Sequence, residues 1–157
     1  MAARDGVRMS DDEIDAFLRG ARKVQVATLA KDGTPHLTTL FHVVDDRGRI
    51  AFWTYGRSQK IRNLERDPRI SMLVEDGEDY FELRGVSVRG SAEVVRDLDA
   101  VREVGTAVAL RMIGADSPGA LGDMGMAEVE RQAAKRVAVV VTPDHTASWD
   151  HRKLISG

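Results

Sequence analysis

Apolar and polar residues alternate with a period of two along most of this chain, and the interruptions in that alternation mark its elements. "KVQVATLA" alternates β-branched with polar positions, "KDG" supplies a turn, and "TPHLTTLFHVV" resumes the alternation up to the turn "DDRGR", so a hairpin is expected. A third strand, "IAFWTY", follows, then "RISMLVE" and the long run "YFELRGVSVRGSAEVV", in which Gly85 and Gly90 mark bulges or bends of one strand or a strand pair. "VAVVVTP" is a short continuous apolar run of the kind that a buried strand shows.

Four segments follow the helical period instead. "SDDEIDAFLRG" carries Ser10 as N-cap, Glu13 as its capping-box partner, and Ile14, Phe17 and Leu18 on one side. "SQKIRNLERD" is a short helix with Ile61 and Leu64 as its apolar side, stopped by Pro68. "DLDAVREVGTAVALRMI" spaces Leu98, Val101, Val104, Val108 and Met112 by three or four; a glycine-rich loop and a helix over "MAEVERQAAKR" come next. At least six short strands with helices at the periphery predict a mainly β fold, a closed or half-closed antiparallel barrel. No G-x-G-x-x-G follows a strand, which disfavours a doubly wound dinucleotide fold.

Composition narrows the classes. At 157 residues the expectation is one domain over 1–157, since that length buries a core without staples. With 43% hydrophobic and 31% charged residues of both signs, the chain reads as globular, and a net charge of −2 argues against a nucleic-acid partner. No apolar run approaches a membrane span, and the absence of cysteine suits a reducing compartment, so no membrane partner and a cytoplasmic setting are expected.

The chemistry concentrates where "IAFWTY" gives way to "SQKIRNLERD". Five basic residues, Arg57, Lys60, Arg62, Arg66 and Arg69, lie within Tyr55 to Arg69, and the acids Glu65 and Asp67 come late. If Ser58 starts the helix, the unpaired N–H groups of its first turn carry partial positive charge, and the Ser58 hydroxyl, Lys60 and Arg57 complete a phosphate cradle. The same residues would also serve as an ordinary solvated basic helix, with Glu65 pairing Arg62 or Arg69. Ser58 has no nucleophile-elbow context, so acyl transfer is disfavoured and no catalytic side chain is singled out.

The run from "VATLAKDGTPHL" through the aromatic-Thr strand end to "SQKIRNLERDPR", together with "RGSAEVV" and "SWDHRKL", resembles the pyridoxamine 5′-phosphate oxidase-like family, the flavin- and deazaflavin-binding split β-barrels. The resemblance covers nearly the whole chain. It implies an antiparallel, Greek-key split barrel and a homodimer with cofactor sites between subunits. On the family's pattern Trp53 and Thr54 line the ring or ribityl chain, Thr38 and Thr39 lie on the strand facing the ring, Ser58 and Lys60 hold the phosphate, and Arg57 and Asn63 assist. Trp149 and Arg152 of the tail, with His151, would reach the partner's cofactor, although Trp149 would equally anchor the chain end in an apolar groove.

Two departures separate this sequence from the oxidases that act on vitamin B6: Thr38 stands where they carry an Arg, and "WDHRKL" does not reproduce their Arg-x-His clamp. The resemblance therefore implies an oxidoreductase using the deazaflavin coenzyme F420, whose anionic tail would meet Arg62, Arg66 or Arg69, and which passes hydride to an unsaturated or quinone-like small molecule. The alternatives are an FMN-dependent reductase or oxidase of the same fold, or a non-catalytic cofactor- or haem-binding protein using one of the histidines. His36 and His42, an even separation apart, would share a strand face, but no carboxylate motif accompanies them and no metal is expected.

Overall fold

The computed structural model describes residues 5–156. Helix α1 (Asp11–Gly20) opens with the expected capping box: Ser10 Oγ accepts from the Glu13 N–H at 3.2 Å, and the Glu13 carboxylate accepts from the Ser10 N–H at 2.7 Å. Strands β1 (Lys23–Leu29) and β2 (Pro35–Phe41) form the hairpin, β3 is the two-residue Val43–Val44, and β4 is Ile50–Tyr55. Then come α2 (Gln59–Arg66), β5 (Arg69–Asp76), β6 (Arg84–Val95), α3 (Leu98–Ile113), α4 (Gly122–Ala133) and β7 (Arg136–Asp150).

All seven strands join one antiparallel sheet in the order β2-β1-β5-β6-β7-β4-β3. The sheet curls into a half-barrel with its helices outside and at the open side, the architecture expected of a split barrel. Although β2 leads into β3 and β4 in sequence, it does not pair with β4, and this leaves the split. Alternate residues face a common interior: Val24 and Val26, Ile50 and Phe52, Ile70, Met72 and Val74, Val86 and Val88, Val137, Val139 and Val141. Helix α2 plugs the interior with Ile61, which is fully buried, and Leu64.

Local signals missed some boundaries. The run "TPHLTTLFHVV" is two strands, because the fully buried His42 leaves the ladder between them, where its Nε2–H donates to the Leu18 carbonyl at 2.9 Å. "YFELRGVSVRGSAEVV" is one strand from Arg84, with its irregularity at Arg89/Gly90 as expected, and "YFE" is a short 3₁₀ turn. Gly85 marks a close approach rather than a bend: a Cβ there would lie 2.1 Å from Trp149 Cζ2 on the opposing strand.

The expected glycine-rich loop is shorter than its composition suggested. Helix α4 begins at Gly122 and ends at Ala133, so Arg136 opens β7 instead of closing a helix. Packing against α3 overrides glycine's poor helix propensity, and the two helices are tied by Arg102, whose Nε donates to Glu130 at 2.6 Å. On α3, Leu98 and Met112 are exposed while Val101, Gly105 and Val108 are buried. Gly105 decides that rotation, since the Trp53 ring lies where its Cβ would be, 2.3 Å from Trp53 Cζ3. Among the described residues no helix is long and apolar enough to cross a membrane.

Candidate functional site

Beside the split between β2 and β4, polar side chains of β4, α2 and β2 are buried. From β4, Thr54 faces inward, and the Lys60 ammonium donates to its hydroxyl at 3.2 Å. Lys60 is only 9% exposed and makes no ion pair among the described residues. Burial, reinforced by the nearby Arg136 guanidinium, holds its pKa below the ordinary lysine value.

Ser58 is the N-cap of α2, with extended backbone (φ −68°, ψ 158°), yet its side chain does not cap the helix. Its hydroxyl is buried without a hydrogen-bond partner. The first turn of α2 holds no acid, so its free N–H groups and the helix dipole meet no carboxylate from their own turn. On β2, Thr38 Oγ1 and His36 Nδ1 are likewise buried and unpartnered. Unsatisfied buried polar atoms are rare in folded proteins, and a buried cation and three such atoms supplied by the start of α2 and by β2 are the signature of a place for a polar ligand. An anion with several acceptor oxygens, such as a phosphate, fits that donor set.

Asn63 lies on the inner side of α2 with both ends engaged. Its Nδ2 donates to Thr28 Oγ1 at 3.0 Å, and its Oδ1 accepts from Gln59 Nε2 at 2.9 Å and from Arg66 at 3.3 Å. Its role is to moor α2 to β1, which positions Ser58 and Lys60. Of the basic residues beyond Lys60, Arg66 also donates to the Leu29 carbonyl, and Arg69 is clamped by Asp67, whose carboxyl it pulls down to about 2. Arg57 and Arg62 are exposed and have no ion pair among the described residues.

Neighbours in sequence separate in space. Trp53 faces away from Thr54, out of the barrel and under α3, in a cluster with Ala51, Phe41 and Val108. Thr39 shares that outer side, lining the same cleft as Trp53, while Thr38 turns in. Strand alternation carries this information, and it divides the ring-facing set into an inner half, Thr38 and Thr54, and an outer half, Thr39 and Trp53.

The tail residues are not brought to the seam within one chain. Trp149 packs on Gly85, and Arg152 is bound to Asp150 at 2.9 and 2.6 Å. His151 Nδ1 contacts the Tyr80 carbonyl at 2.7 Å. They sit at the end of β7 opposite Arg136, and at roughly 3.3 Å per residue a strand of this length spans tens of ångströms.

Sequence reasoning missed Arg136. Its guanidinium lies 4.8 Å from the centre of the Trp53 ring and 4.3 Å from that of Tyr55, joining the outer cleft to the Lys60 corner. The basic start of "RVAVVV" was a signal, but the pairing of Tyr55 with Arg136 across 81 positions was not readable locally. A separate cleft of about 530 Å³ along β1, β5, β6 and β7 contains Arg69, Ser71, Arg89 and His145 and neither Ser58, Lys60, Thr38 nor Thr54.

A curled antiparallel half-barrel sheet with peripheral helices defines the class of split β-barrels. The chain matches the family model described as pyridoxamine 5′-phosphate oxidase over residues 10–150, and it belongs to that family. Among solved structures it is 42% identical to a conserved hypothetical protein from Mycobacterium tuberculosis, covering 96% of this chain and 91% of that one with a TM-score of 0.87. More distant structures share the fold: an F420 reductase (23% identity, 84% and 94% of the two chains, TM-score 0.58) and an FAD-binding protein from Mesorhizobium loti (20%, 89% and 94%, 0.66). A search of curated proteins finds no match.

Proposed function

We propose that this chain is an F420-dependent oxidoreductase whose cofactor phosphate is held at the seam, and that it passes hydride to an unsaturated or quinone-like small molecule. The observation that carries the reading is the buried, unpaired Lys60 beside the partnerless Ser58 hydroxyl at the start of α2. When bound, the deazaflavin supplies the hydride. Lys60 and Ser58 bind its phosphate, Arg57 adds charge from the surface, and Thr38 and Thr54 offer hydroxyls from the inner walls. Thr39 and Trp53 border the ring from the outer side. Thr38 in place of an arginine and the uncommitted Arg57 and Arg62 favour the longer, polyanionic cofactor.

A second reading, FMN in the same seam, is favoured by one observation: Arg66 and Arg69 are already committed to Leu29, Asn63 and Asp67, which shortens the positive surface available to a tail. Titration of the cofactor-free protein with F420 and with FMN, followed by fluorescence, separates the two. Tighter binding of F420 with the steeper salt dependence supports the first; tighter binding of FMN, undisturbed by F420 at low salt, replaces it with the second.

The proposed working unit is a homodimer in a cytoplasmic setting, which the cysteine-free sequence suits. Leu37 is 67% exposed on edge strand β2, and Trp149 and Arg152 would meet a cofactor only across a subunit boundary. Light scattering should report about twice 17.3 kDa. A monomer that binds cofactor with full affinity would remove the shared site.

A further inference from the structure

The outer faces of β2 and β4 and the helices α3 and α4 enclose a groove of about 470 Å³, walled by Phe41, Trp53, Val108, Leu121 and Val129. Its lining is predominantly apolar, yet Arg136 stands at its edge. That guanidinium is half-buried over the Trp53 and Tyr55 rings, and its one side-chain hydrogen bond, from Nε to Gln132 Oε1, is 3.3 Å long. Glu128 also lines the groove, but it is taken by Arg131 and Gln132 at 2.6 and 2.8 Å. Arg136 thus has no carboxylate partner among the described residues, and the planar fork that its ring contacts hold in place is suited to one.

We propose that this groove binds a small apolar monocarboxylate, an aromatic or unsaturated acid whose hydrocarbon body lies against Phe41, Trp53 and Val108 and whose carboxylate pairs with Arg136. An apolar wall alone would accept many neutral molecules; a lone oriented cation at its mouth selects those bearing one acid group. The groove shares Thr39 and Trp53 with the proposed ring position, and Arg136 lies close enough to Lys60 to lower its proton affinity. Describing the acid as the substrate rests on the oxidoreductase reading; its binding does not.

The test is calorimetric titration of full-length, cofactor-free protein with 2-naphthoate and with the isosteric neutral 2-naphthamide. Wild-type protein should bind the acid roughly tenfold or more tighter than the amide, the factor expected of a charge-assisted hydrogen bond. Arg136→Met, which keeps an apolar stem on Trp53, should erase the difference while amide affinity persists. Met112→Trp, at a half-exposed position on the groove wall, should weaken both ligands. Saturating inorganic phosphate should leave naphthoate binding unchanged.

Equal affinity for acid and amide in the wild type, no binding of either, or a preference that survives in Arg136→Met would overturn the inference. Competition by phosphate would also overturn it, assigning Arg136 to the phosphate cradle instead. Phosphate binding in Lys60→Met protein is read separately, so the groove and the cradle can fail independently.

Discussion

Lys60→Met separates what the buried ammonium does for a ligand from what it does for the fold. In the cofactor-free protein Lys60 has three donors, one used on Thr54 at 3.2 Å, and no carboxylate to neutralise it. A phosphate in the seam would take the remaining donors. Losing a hydrogen bond to a charged group costs about 1.5–3 kcal/mol, so Kd for cofactor should rise roughly 10- to 150-fold. Methionine fills nearly the same volume without burying a charge, so the cofactor-free variant should melt no lower than wild type, and by the desolvation argument somewhat higher.

The pH dependence has a definite sign. The folded-state pKa of Lys60 is depressed below the ordinary 10.5, so the unfolded chain holds more protons between the two values, and cofactor-free stability rises with pH across that interval. Phosphate affinity runs the other way: full below the depressed value, it falls as Lys60 loses its proton. Both slopes should vanish in Lys60→Met. Calorimetric titration with the two cofactors and with inorganic phosphate, alongside thermal melts from neutral to alkaline pH, measures all of this. A variant that binds as wild type does, or one destabilised by about 2 kcal/mol or more, would mean that Lys60 is a structural partner of Thr54 and not half of a phosphate cradle.

Two further perturbations probe the scaffold. Gly105→Ala sets helix propensity, worth about 1 kcal/mol in its favour, against an overlap with Trp53 that typically costs about 1–3 kcal/mol; a net loss in urea denaturation and altered tryptophan emission are expected, and a more stable variant would disprove the contact. Burial lowers the pKa of His42 below 6.5, so its contribution to stability is full above that value and is lost as pH falls from 6.5 through the depressed folded value. His42→Gln keeps a donor for the Leu18 carbonyl and should flatten that part of the stability–pH curve; an unchanged slope would exclude His42 as its source.

What was legible in the sequence was local. The capping box at Ser10, the alternation along each strand and the stop at Pro68 depend on contacts within a few residues, and the structure reproduces them. The helix start at Ser58, with Lys60 in its first turn, was legible for the same reason, since both are read within one short segment. The opposite facing of Trp53 and Thr54 was also present in the period of two, although family likeness had grouped them on one surface.

The tertiary structure decided the rest, because curling one sheet brings together residues that no local rule connects. It left β2 and β4 unpaired and so created the polar seam. It laid Arg136 across Trp53 and Tyr55, turned Asn63 into a mooring for α2, and drew Arg66 to the Leu29 carbonyl on β1. It also kept Gly125 helical against α3, where propensity alone favours a loop. Propensity, capping and periodicity act over one turn or one strand, whereas burial without a partner, the property that singles out Lys60 and Ser58, exists only once distant strands have closed around them.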